Sequence, residues 1–412
     1  MTRRAYQDDA YLREFETTIT GIRPVSKGHA ILLEATLFYP DAGGQPCDTG
    51  WIGSARIETV EELQGADDAE ADIVHIAAAA PEFSVGDTVR GRIDWPGRFL
   101  NMQQHTGQHI LSQAFLKIAE ARTVSSRLGL EHSTIDVSRL DLAWEDMARV
   151  EQAANRVVYE NRRVKIYQAE ADSLQGLRAK QEPRRGMLRI VEVEDFDLSP
   201  CGGTHCARTG EVGLVKILRW EKVRDTTRVE FVCGGLAEAD YFWKNRVIVE
   251  TAQAFTVKDT AVADLARNLD GSARELRRQV AELKARLAGY LVKDLEAAAE
   301  TVSGTRLVAA VVEGASAADL REMAAKLTAA PRAVALLAAG GERAHFVFSR
   351  SRDLDLDMRQ VLAAATAVAG GKGGGRPEVC EGGGKEPGLA APALEAAAAF
   401  ARGVLAERGP EG

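Results

Sequence analysis

Between about Ala30 and Ile93, apolar and polar residues alternate in short runs: "HAILLEATLFYP", "ARIETVEEL", "DIVHIAAAA" and "GDTVRGRIDW". Gly, Pro and Asp separate the runs, and this pattern predicts the strands of a small barrel or a strongly bent sheet. "DAGGQPCDTGWIG", inside this region, reads as a tight turn, since no Lys-Ser/Thr pair or helix start follows in the P-loop manner. From Pro96 the period changes. In "PGRFLNMQQHTGQHILSQAFLKIAEA", Leu100, Ile110, Leu111, Phe115 and Ile118 share one helical face. "DMARVEQAANRVVYENRRVKIYQ" is an amphipathic helix running into a strand. "STIDV", "LVKILRWEKV" and "TTRVEFVCG" are rich in β-branched residues and read as strands, which together with the helices suggest an α+β layer.

One long helix is expected from about Phe242 to Val302. Leu269, Ala273, Leu276, Val280, Leu283, Leu287 and Tyr290 step by four and three within it, a heptad stripe flanked by charges. A short coiled coil and a helical hairpin within one chain fit this stripe equally, and the coiled coil would make the chain a homodimer. After Thr305, "TRLVAAVVEG", "PRAVALLAAGG" and "RAHFVFSR" read as buried strands, with the helix "SAADLREMAAKLTAA" between the first two. That is a small α/β unit with a parallel pair. "GGKGGGRPEVCEGGG" follows, with Lys372 and Arg376 among its glycines, and then the helix "PALEAAAAFARGVLAE". An ordered loop holding backbone near a phosphate is favoured over a flexible linker. The pattern divides the chain into residues 1–95, 96–240, 241–303 and 304–412.

A chain of 412 residues exceeds a single hydrophobic core, in keeping with several domains. The net charge of −8 means that any polyanion must be met by a local basic surface. Candidate stretches are Lys216, Arg219, Lys222, Arg224 and Arg228; then Arg343, Arg350, Arg352 and Arg359; then Lys372, Arg376 and Lys385. No run of about eighteen apolar residues predicts a membrane span, and "MTRRAYQDDAYLREFE" lacks the apolar core of a secretory signal. A cytoplasmic location with no membrane partner is therefore expected. Five cysteines in so long a chain make no disulfide framework and suit a reducing compartment, where thiolates serve as metal ligands.

Two pairs carry the chemistry. His105 and His109 in "HTGQH" stand four apart on the predicted helix, so both imidazoles reach one side of it. Cys201 and His205 in "PCGGTHC" stand at the same separation on a glycine-flexed turn. Three imidazoles and one thiolate suit one tetrahedral Zn2+ per chain, with Cys206 a second choice of thiolate. "HTGQH" lacks the Glu of metalloprotease motifs, which disfavours a zinc peptidase.

"HTGQH" followed by "CGGTH" resembles the editing domain of alanyl-tRNA synthetase and its free-standing AlaX-type relatives. "FYPDAGGQPCDTG" is similar to the glycine-rich segment of the small barrel that precedes that domain, and "VSSRLGLEHSTIDV" to the strand pair lining its pocket. "GGKGGGRPEVCEGGG" resembles the signature of the DHH-associated C-terminal domain, which the synthetase uses for tRNA binding. The resemblance implies an α+β chain of four parts: a small β-barrel, a zinc-containing editing domain, a long helix or short coiled coil, and a C-terminal α/β domain of the DHH-associated type.

By the same resemblance the chain is a hydrolase acting in trans on mischarged tRNA for alanine, chiefly seryl-tRNA and secondarily glycyl-tRNA. About twenty-five residues before the barrel are too few for an adenylate-forming domain, so no aminoacylation is expected. Serine exceeds alanine by one hydroxyl, and a site that hydrogen-bonds this hydroxyl rejects alanine by leaving polar groups unpaired. Gln108, Ser125, Ser126 and Thr134 are the polar pocket candidates, and Lys372 and Arg376 the nucleic-acid contacts. The zinc would orient substrate in preference to activating water, because neither motif supplies a carboxylate base. The rival reading is a tRNA-binding or regulatory module with a purely structural zinc. A DHH-type phosphodiesterase fails because the chain has no consecutive His pair.

Overall fold

The computed structural model of the chain describes residues 2–63, 72–171, 177–178, 186–340 and 343–407. These belong to two compact units, Met1–Asp259 and Thr260–Gly412. The first unit begins with six strands: β1 (Glu14–Val25), β2 (Gly28–Leu33), β3 (Gly50–Ile52), β4 (Ala55–Leu63), β5 (Asp72–Ala77) and β6 (Thr88–Ile93). They close into a barrel in the order β1-β2-β5-β4-β3-β6. Alternate residues point inward, so Ile31, Leu33, Ile52, Ile57, Val60 and Ile73 fill the interior. The short pair Arg3–Arg4 and Ala35–Thr36 ties the N-terminal segment to this barrel.

His75 lies inside the barrel, fully buried, between Thr36 Oγ1 (2.8 Å) and the Ile31 carbonyl (3.1 Å). Burial pushes its imidazole down to about 4. The unfolded chain therefore binds this proton more readily than the folded one between pH about 6.5 and 4. Stability from His75 is complete above that window and is lost as pH falls through it, by about 3 kcal/mol. Urea unfolding at pH 7 and pH 4.5 should show His75→Gln losing less stability on acidification than the parent. An identical pH slope in both would count against this.

Helix α1 (Trp95–Ala119) follows the barrel, with proline in its first turn and Glu120 in the left-handed conformation at its end. Ile110, Leu111 and Phe115 pack against Ile135 and Val137 of β8 (Ser133–Val137), whose antiparallel partner is β7 (Thr123–Arg127). Helix α2 (Trp144–Tyr159) adds Val150 and Val157 to the same core. Strands β9 (Val164–Glu170), β10 (Met187–Val193) and β11 (Asp197–Pro200) form an antiparallel three-stranded sheet. Strands β12 (Val215–Val223) and β13 (Thr226–Cys233) complete a four-stranded sheet of order β12-β13-β8-β7.

The single helix expected over 242–302 is instead two helices, α3 (Gly235–Ala254) in the first unit and α4 (Val262–Ala297) in the second. Thr256 takes φ 55° between them, a conformation that a β-branched residue cannot propagate as a right-handed helix. Glu300–Val302 is a strand, β14, rather than the helix end. Among the heptad residues Leu269, Leu276, Val280, Leu283, Leu287 and Tyr290 are exposed on α4.

The second unit is built on a six-stranded sheet of order β14-β15-β16-β17-β19-β18, with β15 (Thr305–Val311), β16 (Ala333–Ala339), β17 (Ala344–Arg350), β18 (Lys372–Gly375) and β19 (Val379–Gly384). Helix α5 (Ala317–Leu327) makes the crossover between the parallel pair β15 and β16. It covers one face, while α6 (Met358–Ala369) and α7 (Ala390–Glu407) cover the other. The glycine run expected as a loop is a hairpin at the sheet edge, β18 paired with β19. A Cβ at Gly373 would lie 2.6 Å from Leu362, and one at Gly384 2.5 Å from Ala369, so the glycines let α6 rest on bare backbone. Lys372 and Arg376 are exposed along this hairpin.

Candidate functional site

His105 and His109 project from the buried face of α1, their ring centroids 5.3 Å apart. Strand β11 leads into Cys201-Gly-Gly-Thr-His205, whose turn brings its ends to the same place. Cys201 Sγ lies 3.3 Å from His105 Nε2 and 3.3 Å from His205 Nε2. One ligand atom from each of the four residues falls within 4.8 Å of the others. Ligands of a tetrahedral zinc with the usual bond lengths are separated by about 3.4–3.8 Å, so the cluster has the right scale. Burial would raise the Cys201 thiol, but His105 and His205 beside it hold it well below its ordinary range. Burial and then His105 push His205 down to about 3, leaving a neutral imidazole. A thiolate among imidazoles is the donor set that zinc prefers.

Each imidazole is also held from behind, as metal-ligating histidines generally are. His105 Nδ1 meets Gln45 Oε1 at 2.7 Å, and Gln45 Nε2 donates to Thr204 Oγ1 at 2.9 Å. The fully buried Gln45 comes from the barrel's "DAGGQPCDTG" segment and clasps α1 to the Cys-His turn. His109 Nδ1 faces Asp197 Oδ2 at 3.3 Å. Arg178 donates to both oxygens of Asp197, at 2.6 and 2.8 Å, and Ser199 Oγ donates to one. Burial would raise the Asp197 carboxyl, but Arg178 and His109 hold it far below the usual range. Burial would lower His109, but Asp197 and Cys201 reverse this and raise it. His205 Nδ1 meets Thr106 Oγ1 at 3.2 Å. Arg189 Nη1 donates to the Cys201 and Gly203 carbonyls, fixing the turn.

The two glycines of that turn differ. A Cβ at Gly203 would sit 2.2 Å from His105 Cε1, whereas one at Gly202 meets nothing within 4 Å. Gly203→Ala should displace the His105 ring and weaken zinc binding about 10–100-fold, the range for disturbed support of a ligand. Gly202→Ala should keep the parental affinity. Competition with a chromophoric chelator reads both, and equal affinities in the two variants would contradict the placement.

His105, His109 and Cys201 open onto a cavity of about 520 Å3, of a size suited to a small organic group. Gln108 and Ser126 line it beside the His/Cys cluster, and Gln108 Nε2 donates to Ser112 Oγ at 2.7 Å. Ser125 and Thr134 lie elsewhere. These two line a neighbouring cleft, which Ser126 also borders, and there Ser125 Oγ donates to Asp136, itself paired with Arg228. Cys206 also turns away: it is buried in the hydrophobic core, and burial pushes its thiol up to about 12. Gln45, Thr106, Arg178, Arg189 and Asp197 were not singled out from the sequence. The signals were positional, Gln45 inside the glycine-rich segment and Thr106 inside "HTGQH"; nothing marked Arg178, Arg189 or Asp197.

Several of the basic stretches are spent on acidic neighbours. Lys216 pairs with Glu151, Arg219 with Glu230, Arg228 with Asp136 and Arg359 with Asp357. Lys372, Arg376 and Lys385 are exposed.

Comparison with known proteins gives this arrangement its context. Residues 188–229 match the threonyl and alanyl tRNA synthetase second additional domain, residues 304–406 the DHHA1 domain, and residues 10–97 the tRNA synthetases class II (A) family. The alanine–tRNA ligase of Pyrococcus abyssi is 33% identical over 96% of this chain, which spans 43% of that ligase. The alanyl-tRNA editing protein AlaX-L of Pyrococcus horikoshii is 29% identical over 93% of this chain and 94% of its own length. The crystal structure of the C-Ala domain from Aquifex aeolicus alanyl-tRNA synthetase covers 26% of this chain at 25% identity, with a TM-score of 0.24. The chain thus spans less than half of the ligases it matches. Its class is that of proteins sharing the editing-type and DHHA1 parts of alanyl-tRNA synthetase. Within that class its whole length is similar to the alanyl-tRNA editing protein of the long AlaX type.

Proposed function

We propose that this chain hydrolyses the ester joining a wrong amino acid to tRNA for alanine, chiefly serine and secondarily glycine. The observation that carries this is the clustering of His105, His109, Cys201 and His205 beside a cavity that the first three line together with Gln108 and Ser126. One zinc ion held by those four residues would supply a positive centre for orienting the amino or hydroxyl group of the substrate. Gln108 and Ser126 are placed to hydrogen-bond the seryl hydroxyl. With alanine bound, the hydrogen bond to the seryl hydroxyl is lost and an apolar methyl takes its place, a penalty of about 1–3 kcal/mol. Asp197 and Arg178 keep His109 oriented, and Gln45 does the same for His105. Ser125 and Thr134 drop out of the pocket in this reading, since they face the neighbouring cleft.

The exposed Lys372 and Arg376 of the glycine hairpin suit phosphate contacts with the tRNA body, which would weaken steeply with salt. The exposed heptad stripe of α4 suits pairing with the same stripe of a second copy. No described helix is long and apolar enough to cross a membrane, and the substrate places the work in the cytoplasm. The four protein ligands favour the rival reading, a tRNA-binding module with a structural zinc, because catalytic zinc usually keeps a position open. The cavity beside them favours the enzyme. Chelation separates the two: loss of seryl-tRNA hydrolysis on chelation and recovery on zinc addition supports the deacylase. Tight tRNA binding with no hydrolysis in either state supports the module.

A further inference from the structure

A seryl group fills only a small part of the cavity of about 520 Å3, and the wall that faces the remaining space comes from the barrel and its N-terminal segment. Arg4, Tyr6, Gln7, Tyr39 and Glu62 line it, with Ala42 and Gly43 contributing little bulk. Arg4 Nη1 donates to Glu62 Oε1 at 2.8 Å and also hydrogen-bonds the Tyr6 phenol. The Arg4 and Glu62 side chains remain 21% and 31% exposed, so the pair can be reached from the cavity. Such a partly exposed pair adds little stability of its own. Its position explains more. A carboxylate with a guanidinium beside it offers an acceptor for sugar hydroxyls and donors for ring nitrogens or oxygens in one fixed geometry.

We propose that the Arg4–Glu62 pair, with Gln7, is the subsite for a ribonucleoside, and that Glu62 accepts a hydrogen bond from its ribose hydroxyl. The inference rests on the deacylase reading for its context: the aminoacyl ester is carried on the ribose of a terminal adenosine, so acyl group and nucleoside must enter one cavity together. The His/Cys cluster, Gln108 and Ser126 take the acyl end, and the barrel wall takes the sugar and base. The barrel then has a role in the site beyond holding His105 through Gln45. Recognition of the nucleoside by a separate wall would also let the acyl pocket discriminate by one hydroxyl, because anchoring does not depend on the amino acid.

The full chain should be titrated with adenosine and with 2′,3′-dideoxyadenosine by calorimetry, which needs no turnover. Glu62→Gln and Arg4→Gln should be assayed on seryl adenosine beside serine methyl ester, which has no nucleoside. The dideoxynucleoside should bind at least about tenfold more weakly, the worth of a hydrogen bond to a charged acceptor. Glu62→Gln should raise KM for seryl adenosine about tenfold more than for the methyl ester. Equal affinity for the two nucleosides, or the same change on both esters, overturns the subsite. If the nucleosides are discriminated while no ester is hydrolysed, the deacylase reading fails and the subsite stands. Should either variant fail to fold, the two nucleosides on the unaltered chain decide the matter.

Discussion

Cys201→Ala is expected to weaken zinc binding by more than about 100-fold, beyond the range for losing a ligand's supporting partner, and to remove deacylation with it. Cys201 is the only one of the four clustered residues that brings a negative charge. It sits 3.3 Å from two imidazole nitrogens that hold its thiol well below the ordinary range. Without it, three crowded imidazoles face one another with no anion between them, and their ring centroids are only 4.3–5.3 Å apart. Cys206→Ala is the matched control, one residue from His205 but buried in the core with a thiol pushed up to about 12. It should keep full zinc content. Metal analysis of the two purified variants, together with seryl-tRNA hydrolysis, reads both effects. Stoichiometric zinc and full activity in Cys201→Ala would remove the thiolate from the account.

Arg98→Leu should destabilise the first unit by about 3–5 kcal/mol, the cost of leaving one member of a buried ion pair alone. Arg98 and Asp48 have no exposed side-chain surface. Arg98 Nε donates to Asp48 Oδ1 at 3.0 Å, and its Nη1 donates to the Ala10 carbonyl at 2.8 Å. The Leu37 carbonyl accepts from Nη2 as well. The pair joins the start of α1 to the same barrel segment that supplies Gln45, so it sets where His105 stands relative to its support. Denaturant unfolding measures the loss, and Asp48→Ala combined with Arg98→Leu should lose less than the two single changes added together. Simple additivity would mean that the pair acts as two separate contacts.

The mixed α+β build and the four converging residues were legible because each rests on a local rule. Spacing of four on a helix places His105 and His109 together, and glycines between Cys201 and His205 allow the return turn. What supports them was not legible. Gln45 and Thr204 are 159 residues apart, and Gln45 and His105 are 60 apart, so no window of sequence contains the clasp. The "SS" of β7 shows what composition leaves out: both serines are polar, yet Ser126 borders the cavity as well as the neighbouring cleft, while Ser125 Oγ donates to Asp136. The helix expected through 255–261 failed on a backbone conformation at Thr256 that apolar periodicity does not report.

The most direct measurement is the rate of hydrolysis of seryl-tRNA for alanine beside correctly charged alanyl-tRNA, with the same protein and the same tRNA. A kcat/KM for the seryl ester at least about 100-fold above that for the alanyl ester is the predicted result, as expected of a site that hydrogen-bonds the extra hydroxyl. Equal hydrolysis of both esters, or of neither, would contradict it.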